Sequence, residues 1–273
     1  MIKQNFWKNK KILITGHNGF KGSWMTMILY LLGAKVYGFS LDTQINRKNE
    51  KIFGLKKQLV GYTYGDVRNE KKLHSYLKKI SPNIVIHMAA QPLVIDSFKD
   101  PKFNYETNIN GLMNLLLILK KFKDKFFLLV VTSDKCYLNN NKKKLDENAP
   151  LGGDDPYSAS KACVEIISYS FKKSFNLPII TARAGNVIGG GDWSQNRLVP
   201  DLMKSTFENK TFIFRNPNQS RPWQQVIDLN INYLNLIYLT INKKIEQSSW
   251  NLGPNKSFKN NFIVKYVKKK LGK

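Results

Sequence analysis

The residues with the clearest chemical potential in this sequence are a tyrosine and a lysine four positions apart, Tyr157 and Lys161. At this spacing two side chains project from the same face of a helix. A neighbouring ammonium group lowers the pKa of a phenol because it stabilises the phenolate. A phenolate close to neutral pH accepts a proton from a sugar hydroxyl while hydride leaves the same carbon, so the pair predicts a general base for the oxidation of an alcohol. Standing alone, the same spacing is more often an ordinary surface pair.

A glycine-rich segment, residues 15–22, comes directly after an apolar run and before a helical pattern. Glycines at such a turn let backbone N–H groups approach a pyrophosphate, and the N-terminus of the following helix faces its negative charge. The spacing differs from the G-x-G-x-x-G fingerprint, so a plain glycine-rich turn is the alternative interpretation. The flanking strand and helix favour dinucleotide binding, through Gly16, Asn18, Gly19, Phe20 and Gly22.

Acidic residues follow the second and third predicted strands. Asp42 lies where a carboxylate accepts hydrogen bonds from an adenosine ribose, which favours NAD over NADP. Asp66, followed by Val67, is placed to meet the adenine. Each aspartate has an alternative role as the cap of a loop or turn, and Lys21 and Lys35 leave the choice between the two cofactors open.

A hydroxyl, an acid and a base come together at the end of the fifth predicted strand, as Ser133, Asp134 and Lys135. Ligands bind outside the carboxyl ends of the strands in an open parallel sheet. We therefore expect Ser133 to hydrogen-bond the sugar oxygen that Tyr157 deprotonates. A polar loop at the strand end, without a role in chemistry, is the alternative.

These motifs lie on an alternation of strands and helices. Apolar runs predict strands at residues 11–15, 34–40, 60–65, 83–88, 126–132 and 177–182, and helical periodicity predicts helices at residues 22–33, 69–80, 101–122 and 156–175. This order predicts an α/β fold with a doubly wound parallel sheet of the Rossmann type. The alternation weakens after residue 185. We therefore expect an NAD-binding domain over residues 1–185 and a smaller, incomplete C-terminal substrate lobe over residues 186–273, with segments that return to the main domain.

The bulk composition restricts the class of protein. The 273 residues carry a net charge of +25, which attracts anions. Because the lysines are spread along the chain, we expect a basic surface without a specific nucleic-acid site; a basic nucleic-acid binder is the alternative. The two cysteines match no metal-ligand spacing, and we expect no metal. No apolar stretch is long enough to span a bilayer or to form a signal peptide, which predicts a soluble cytoplasmic protein.

Further stretches carry a resemblance to a known family. They lie at residues 15–24, 87–94, 132–137, 183–193, 197–201 and 221–224, within a match over residues 7–255. The glycines and the Tyr157/Lys161 pair resemble the extended short-chain dehydrogenase/reductase family. Within it, the sequence is similar to the CDP-glucose 4,6-dehydratases, and Phe20-Lys21-Gly22-Ser23-Trp24 and Gly190-Gly191-Asp192-Trp193 are typical of that branch.

The resemblance implies an NAD-dependent hydro-lyase that converts CDP-glucose to CDP-4-keto-6-deoxyglucose. Oxidation at C4, promoted by Tyr157 and Lys161, would be followed by loss of water across C5 and C6 and return of the hydride to C6. Asp134 would protonate the departing hydroxyl. Lys135 stands where related dTDP-glucose enzymes have a glutamate that removes the C5 proton; a base role and a purely electrostatic role both stay open for it.

The resemblance also implies binding residues and an assembly. The nicotinamide side of the cofactor would be lined by Ala89, Ala90, Gln91 and Asn108, or by Thr107 in place of Asn108. The substrate would contact Gln91, and Asn186, Arg197 and Arg221 would hold its nucleotide and pyrophosphate, since arginine suits bidentate phosphate contacts. Members of the family usually form dimers through the helices that correspond to residues 101–122 and 157–175, so we expect a homodimer.

Two departures from the family pattern leave alternatives open. Gln225 stands where the family usually has a histidine, and the sequence ends at Lys273, roughly eighty residues before the usual family end, which predicts a truncated substrate lobe. One alternative function is that of another nucleotide-sugar dehydratase or epimerase of the same family. A truncated NAD-binding protein without catalysis is the other.

Overall fold

A parallel sheet forms the centre of the protein. The computed structural model describes residues 3–122, 125–138 and 145–271. The strands in these ranges are β1 (Lys11–Thr15), β2 (Lys35–Ser40), β3 (Gly61–Tyr64), β4 (Ile84–His87), β5 (Phe127–Ser133), β6 (Ile179–Ala184), β7 (Val187–Ile188), β8 (Ser220–Arg221), β9 (Gln224–Gln225), β10 (Ser249–Leu252) and β11 (Phe258–Lys259). Seven of them form one sheet in the order β3-β2-β1-β4-β5-β6-β10, and every pairing within it is parallel. Two small sheets pair β7 with β9 and β8 with β11.

Helices cover both faces of the central sheet. They are α1 (Gln4–Trp7), α2 (Phe20–Leu31), α3 (Gln44–Phe53), α4 (Glu70–Ile80), α5 (Val94–Lys99), α6 (Pro101–Tyr105), α7 (Gly111–Lys120), α8 (Pro156–Phe175), α9 (Leu198–Phe207), α10 (Val226–Ile241) and α11 (Asn260–Lys270). A π-helical turn, Glu106–Asn110, joins α6 to α7, and 3-10 turns lie at Leu55–Lys57 and Asp134–Cys136. Within the described ranges, no helix combines the length and the apolar character needed to cross a membrane.

The core is divided into two layers by the sheet. Successive side chains of a strand point to opposite faces, so Ile12 and Ile14 of β1 lie in one hydrophobic cluster and Leu13 in the other. The first cluster includes Leu234 of α10, and the second includes Leu116 of α7. Because β1 is buried on both faces, its sequence is almost continuously apolar, as expected for a central parallel strand.

The predicted α/β fold with a doubly wound parallel sheet is confirmed. All six predicted strands are present, each boundary within two residues of its predicted position. The predicted helix over residues 101–122 is interrupted by the π-helical turn, and α3 and β10 were not predicted. The division at residue 185 stays a prediction; β10 pairs with β6 and so extends the central sheet.

The chain changes direction across the sheet at β1, which lies between β2 and β4. In open parallel sheets, ligands bind in the crevice outside the carboxyl ends of the strands at such a reversal. Here the ends of β1 and β4 are held together because Met88 N donates to Thr15 O at 3.1 Å. The glycine-rich segment and residues 88–91 therefore meet at this crevice.

Candidate active site

The three glycines of the turn between β1 and α2 differ in what a side chain at each position would contact. Gly16 has a φ of +76°, and a Cβ on it would lie 2.9 Å from Ala89 N. A Cβ on Gly22 would lie 2.0 Å from Gly16 O, so the first turn of α2 requires glycine for close packing against the turn. A Cβ on Gly19 would meet only Gly16 O at 3.4 Å, and Gly19 caps α2 without a side-chain hydrogen bond. The Gly19 N–H is bonded to Gly16 O at 3.1 Å, so what the missing side chain leaves for a negatively charged ligand is space beside the start of α2.

Asn18 supports this turn from the inside of the protein. Its Nδ2 donates to Glu50 Oε1 at 2.7 Å, and its backbone oxygen accepts from Asn49 Nδ2 at 3.2 Å. Glu50 also accepts a hydrogen bond from the Tyr64 hydroxyl at 2.8 Å. The predicted cofactor residue Asn18 is therefore anchored to α3, and it shapes the turn with its buried side chain.

The two aspartates predicted to meet the adenosine both have arginine partners. Asp42 forms two hydrogen bonds of 2.6 Å with Arg47, and this pairing holds the pKa of its exposed carboxylate below the ordinary value. Burial acts to raise the pKa of Asp66, but its bonds from Arg68 outweigh this and lower it. Val67 is buried. Both carboxylates are thus ionised at the crevice side of β2 and β3, with part of their acceptor capacity used by the arginines.

The segment after β4 is fixed by buried amides. Gln91 N donates to Asn108 Oδ1 at 2.8 Å, and Asn108 Nδ2 donates to Ser160 Oγ of α8 at 2.9 Å. Gln91 Oε1 accepts from Asn104 at 2.7 Å, and its Nε2 donates to the carbonyl of Leu93 at 3.1 Å. Both polar atoms of the Gln91 side chain therefore have protein partners, and Asn108 connects the backbone of Gln91 to Ser160 of α8. The π-helical turn places Asn108 for this role.

Tyr157 and Lys161 lie in the first two turns of α8. The helix begins with Pro156, and Asp155 caps it by accepting from Ser158 N at 2.9 Å. The Nζ atom of Lys161 lies 5.8 Å from the centroid of the Tyr157 ring, and the lysine is buried. The structure therefore brings the predicted pair together on one helix face.

Burial dominates the titration of both groups. It raises the pKa of Tyr157, although a hydrogen bond with Ser133 and the charge of Arg197 act in the opposite direction. Burial also lowers the pKa of Lys161 to about 8, against the attraction of Glu165. In the protein by itself, burial thus opposes the phenolate more than Ser133 and Arg197 favour it, and the effect of the Lys161 ammonium on this phenol stays a prediction.

The acid predicted at the end of β5 lies beside this phenol. Ser133, the last residue of β5, lies close enough to Tyr157 to lower the pKa of its phenol, and it donates to Asp134 Oδ1 at 3.2 Å. Burial raises the pKa of Asp134, while Lys135, Ser133 and Arg221 act to lower it. Asp134 therefore holds a proton at higher pH than an ordinary aspartate, which suits a general acid.

Residues from the C-terminal part of the chain complete the site. A Cβ on Gly185 would lie 3.1 Å from Asp134 Oδ2 and 3.3 Å from Pro222 Cγ, so the segment after Arg221 meets the end of β5. Arg197 pairs with the buried carboxylate of Asp192 at 3.1 Å. The backbone oxygen of Asn186 accepts from Gln224 N at 3.0 Å and holds β9 beside β7.

Lys21 is a site residue that sequence reasoning treated only as a doubt about the cofactor. Burial lowers its pKa to about 8, and the charges of Arg197 and Lys161 act in the same direction while Asp134 opposes them. The Lys21 ammonium thus lies close enough to Lys161 of α8 and to Asp134 after β5 for their charges to change its pKa. The sequence signal that could have identified Lys21 as a site residue is its position in residues 20–24, a stretch typical of the CDP-glucose 4,6-dehydratases. Asp192 lies in the other typical stretch, residues 190–193.

Comparisons with known proteins agree with this geometry. The model of the family described as GDP-mannose 4,6 dehydratase matches residues 13–267. A CDP-glucose 4,6-dehydratase of Salmonella typhimurium is 40% identical over 265 residues, which cover 93% of this chain and 74% of the relative. A UDP-glucose 4-epimerase of Mycoplasma pneumoniae is 26% identical over 92% of this chain and 78% of its own.

Solved structures show the same architecture. A dTDP-glucose 4,6-dehydratase from Bacillus anthracis, solved in complex with NAD, superposes with a TM-score of 0.80 at 25% identity over 97% of this chain and 82% of its own. A UDP-glucose 4-epimerase from Thermotoga maritima gives a TM-score of 0.85 at 21% identity, over 96% of this chain and 82% of its own, and supports the fold alone. The chain therefore belongs to the GDP-mannose 4,6 dehydratase family, within the extended short-chain dehydrogenases/reductases.

Proposed function

We propose that this protein is a nucleotide-sugar 4,6-dehydratase that uses NAD and acts on CDP-glucose. The observation that carries the proposal is the meeting of Tyr157, Ser133 and Asp134 beside the glycine turn. The relative from Salmonella typhimurium supports the choice of CDP-glucose. The product would be CDP-4-keto-6-deoxyglucose, with no net consumption of NAD.

The chain offers a cradle that fits a dinucleotide. Gly19 leaves the start of α2 open for the pyrophosphate, and Asp42 and Asp66 stand at the ends of β2 and β3 for the adenosine. Within the described ranges, the buried hydroxyl of Thr107 has no hydrogen-bond partner, beside the segment that would line the nicotinamide. When bound, NAD supplies a hydride acceptor that later returns the hydride.

Tyr157 would accept the proton of the sugar C4 hydroxyl, and Ser133 would hydrogen-bond the same oxygen. Because burial keeps the phenol protonated in the protein alone, a positive charge must be added beside it before it becomes a base. Lys161, also buried, contributes a cation on the same helix face. A positive nicotinamide ring would add the further charge.

Asp134 and Lys135 would act on the second step, the loss of water. Once C4 is a ketone, the C5 proton is acidified, and the C6 hydroxyl needs a proton to leave. Asp134, whose pKa is raised by burial, would donate that proton. Lys135 would assist at C5 as base or as a fixed positive charge.

Cations around the crevice suit the diphosphate of the substrate. Arg197 and Arg221 come from different segments and both act on groups of the site. Lys21 adds a third positive group close to Asp134. Arginine gives bidentate contacts to phosphate, and the net charge of +25 attracts an anionic substrate.

A turnover assay with several nucleotide sugars tests the proposal. The protein with NAD is incubated separately with CDP-, dTDP-, UDP- and GDP-glucose, and the 4-keto product is detected by its absorbance in alkali. We expect product from CDP-glucose without accumulation of NADH. Faster turnover of another sugar nucleotide would point to a different dehydratase. Cofactor binding without any product would favour a non-catalytic NAD-binding protein.

We also propose that two copies associate through α5, α7 and α8. Exposed apolar side chains lie on these packed helices, at Ile95, Phe98, Leu117, Ile166 and Tyr169. Exposed apolar side chains on helices that pack together are candidates for an interface between copies. Sedimentation of the native protein should give twice the chain mass, and Phe98→Glu should shift it to the monomer.

The cytoplasmic location stays a prediction from the sequence. Its support in the structure is that both cysteines, Cys136 and Cys163, are free thiols. Reduced thiols are usual in a reducing compartment. Fractionation of the producing cell would test the location directly.

A further inference from the structure

A buried carboxylate on α8, Glu165, lies one helical turn beyond Lys161 and has no part in the chemistry proposed above. Its side chain is 1% exposed and pairs with Arg183 at 2.8 Å. It accepts hydrogen bonds from the hydroxyls of Thr132 and Thr181, the latter at 2.7 Å. Burying a carboxylate is expensive unless it is fully paired, so this arrangement has a structural cost that its partners must offset.

The partners of Glu165 come from both sides of the candidate site. Thr132 is the residue of β5 directly before Ser133, while Glu165 itself is on the helix that carries Tyr157. Arg183 of β6 also donates to the Tyr137 hydroxyl at 2.7 Å. The carboxylate therefore connects the end of β5 to α8 and continues through Arg183 to the segment after the 3-10 turn.

We propose that Glu165 is a positioning residue for the dehydratase reaction: it keeps β5 and α8 in the register that brings Ser133 to Tyr157, and its charge keeps Lys161 cationic. The effect on turnover in this inference rests on the proposed function. Its structural and electrostatic parts are properties of the free protein and are measurable without substrate.

The geometry of β5 and α8 sets this register. Ser133 follows Thr132 on β5 and lies close enough to Tyr157 to lower the pKa of its phenol, and Tyr157 lies two turns before Glu165 on α8. The bond from Thr132 to Glu165 is thus a crosslink between the same strand and the same helix. This crosslink limits the rotation of α8 about its axis as well as its distance from β5, and placement of a base within about 0.5 Å matters for catalysis.

The charge state of Lys161 depends on the groups that face its ammonium. They are Glu165 and Tyr157 from α8, Cys136 from the 3-10 turn, Lys21 from α2 and His87 from β4. Burial raises the pKa of the Cys136 thiol to about 12 and lowers that of His87 to about 3, so both are neutral at pH 7. The phenol of Tyr157 is protonated and Lys21 carries a like charge. Among these groups, Glu165 is therefore the anion that opposes the loss of the Lys161 proton.

Three variants separate charge, register and simple stability. Glu165→Gln removes the charge and keeps the shape. Thr132→Val and Thr181→Val each remove one hydroxyl bond to the same carboxylate without changing charge, but only Thr132 adjoins Ser133. Thermal unfolding of all three measures the structural cost, and the two valine variants form a matched pair.

Two readouts go beyond stability. The pKa of Lys161 is measured in the free protein by NMR of ¹³C-labelled lysine, with its signal assigned by its loss in Lys161→Arg. We expect Glu165→Gln to lower this pKa by at least about half a unit, and both valine variants to leave it in place. In turnover, we expect Thr132→Val to reduce kcat at least about tenfold with unchanged KM, and Thr181→Val to retain kcat.

The outcomes are distinguishable from failure of the proposed function. An unchanged Lys161 titration in Glu165→Gln, or equal kcat in the two valine variants, would overturn the inference. If Glu165→Gln does not fold, the valine pair still decides the register part. An unaltered protein that turns over no nucleotide sugar refutes the dehydratase, while the NMR titration in the free protein still tests the influence of Glu165 on Lys161.

Discussion

Two glycines of the same turn, three residues apart, should respond to alanine in opposite ways. A Cβ on Gly22 would lie 2.0 Å from Gly16 O and within 3.0 Å of two further backbone carbons, so no side chain can move to relieve the contact. Overpacking of this kind costs about 3 kcal/mol or more. For a chain of this size, about 2 °C of Tm is lost per kcal/mol, which predicts that Gly22→Ala lowers Tm by about 6 °C or more.

Gly19→Ala should leave stability almost unchanged and weaken cofactor binding. Gly19 has an ordinary φ of −73°, and its added Cβ would meet only Gly16 O at 3.4 Å. Alanine restricts the unfolded chain more than glycine does, which stabilises the folded protein by about 0.4–1 kcal/mol. Loss of glycine as the N-cap of α2 costs a similar amount. Tm should therefore stay within about 2 °C of the unaltered protein. The methyl group would project into the open space beside the start of α2, so we expect NAD affinity to fall at least about tenfold, or about 1.4 kcal/mol.

The assay for both variants is thermal unfolding followed by calorimetric titration with NAD. Comparing them controls for a general effect of alanine in the turn, because the same methyl group is added at each site. Gly19→Ala that binds NAD normally would refute the assignment of the turn as the pyrophosphate cradle. Gly22→Ala that unfolds at the normal temperature would refute the packing argument.

The remaining predictions concern the acid, the base and the histidines. Tyr157→Phe should reduce turnover by about 10²–10⁴-fold by removing the general base, with unchanged NAD affinity by calorimetry; undiminished turnover would exclude the phenol. Asp134→Asn should slow water loss by a similar factor, so that absorbance of reduced cofactor builds up after mixing with CDP-glucose, whereas a normal product rate would reject the acid role. Burial lowers the pKa of His17 to about 4 and of His87 to about 3 in the folded protein. As the pH falls below about 6.5, both imidazoles are therefore protonated in the unfolded state while they stay neutral in the folded state. Stability should therefore fall by about 1 kcal/mol per pH unit for each histidine between pH 6 and 5, as urea unfolding would measure, and a smaller slope than that of one histidine would contradict the burial of these two side chains.

The central fold was readable from the sequence because its signals are local. Strand β1 is apolar throughout since both of its faces are buried, and Gly33 ends the first helix pattern with a φ of +77°. By contrast, α3 has few apolar residues, and its place depends on Asn49 and Glu50, which bond to the glycine turn. Such contacts join residues about thirty positions apart and have no periodic signature.

The site was predictable in its residue types more than in its energetics. Tyr157, Lys161, Ser133 and Asp134 were found from spacing and from their place at a helix start and a strand end. Lys21 was not assigned to the catalytic site, because its nearness to Asp134 arises only when the start of α2 meets the end of β5. Whether a titratable group gains or loses protons depends on burial, which spacing alone does not give.

The raised pKa of Tyr157 changes how the catalytic pair must be understood. A phenol that was already acidic in the free protein would be a base at all times. Here burial keeps it protonated, and Lys161, itself near its own titration range with a pKa of about 8, cannot overcome that alone. The same low-dielectric surroundings that oppose the phenolate also strengthen its attraction to any cation placed beside it. Binding of a positively charged ring next to Tyr157 would therefore have a larger effect than at a solvated site, so the base would be activated chiefly when the hydride acceptor is present.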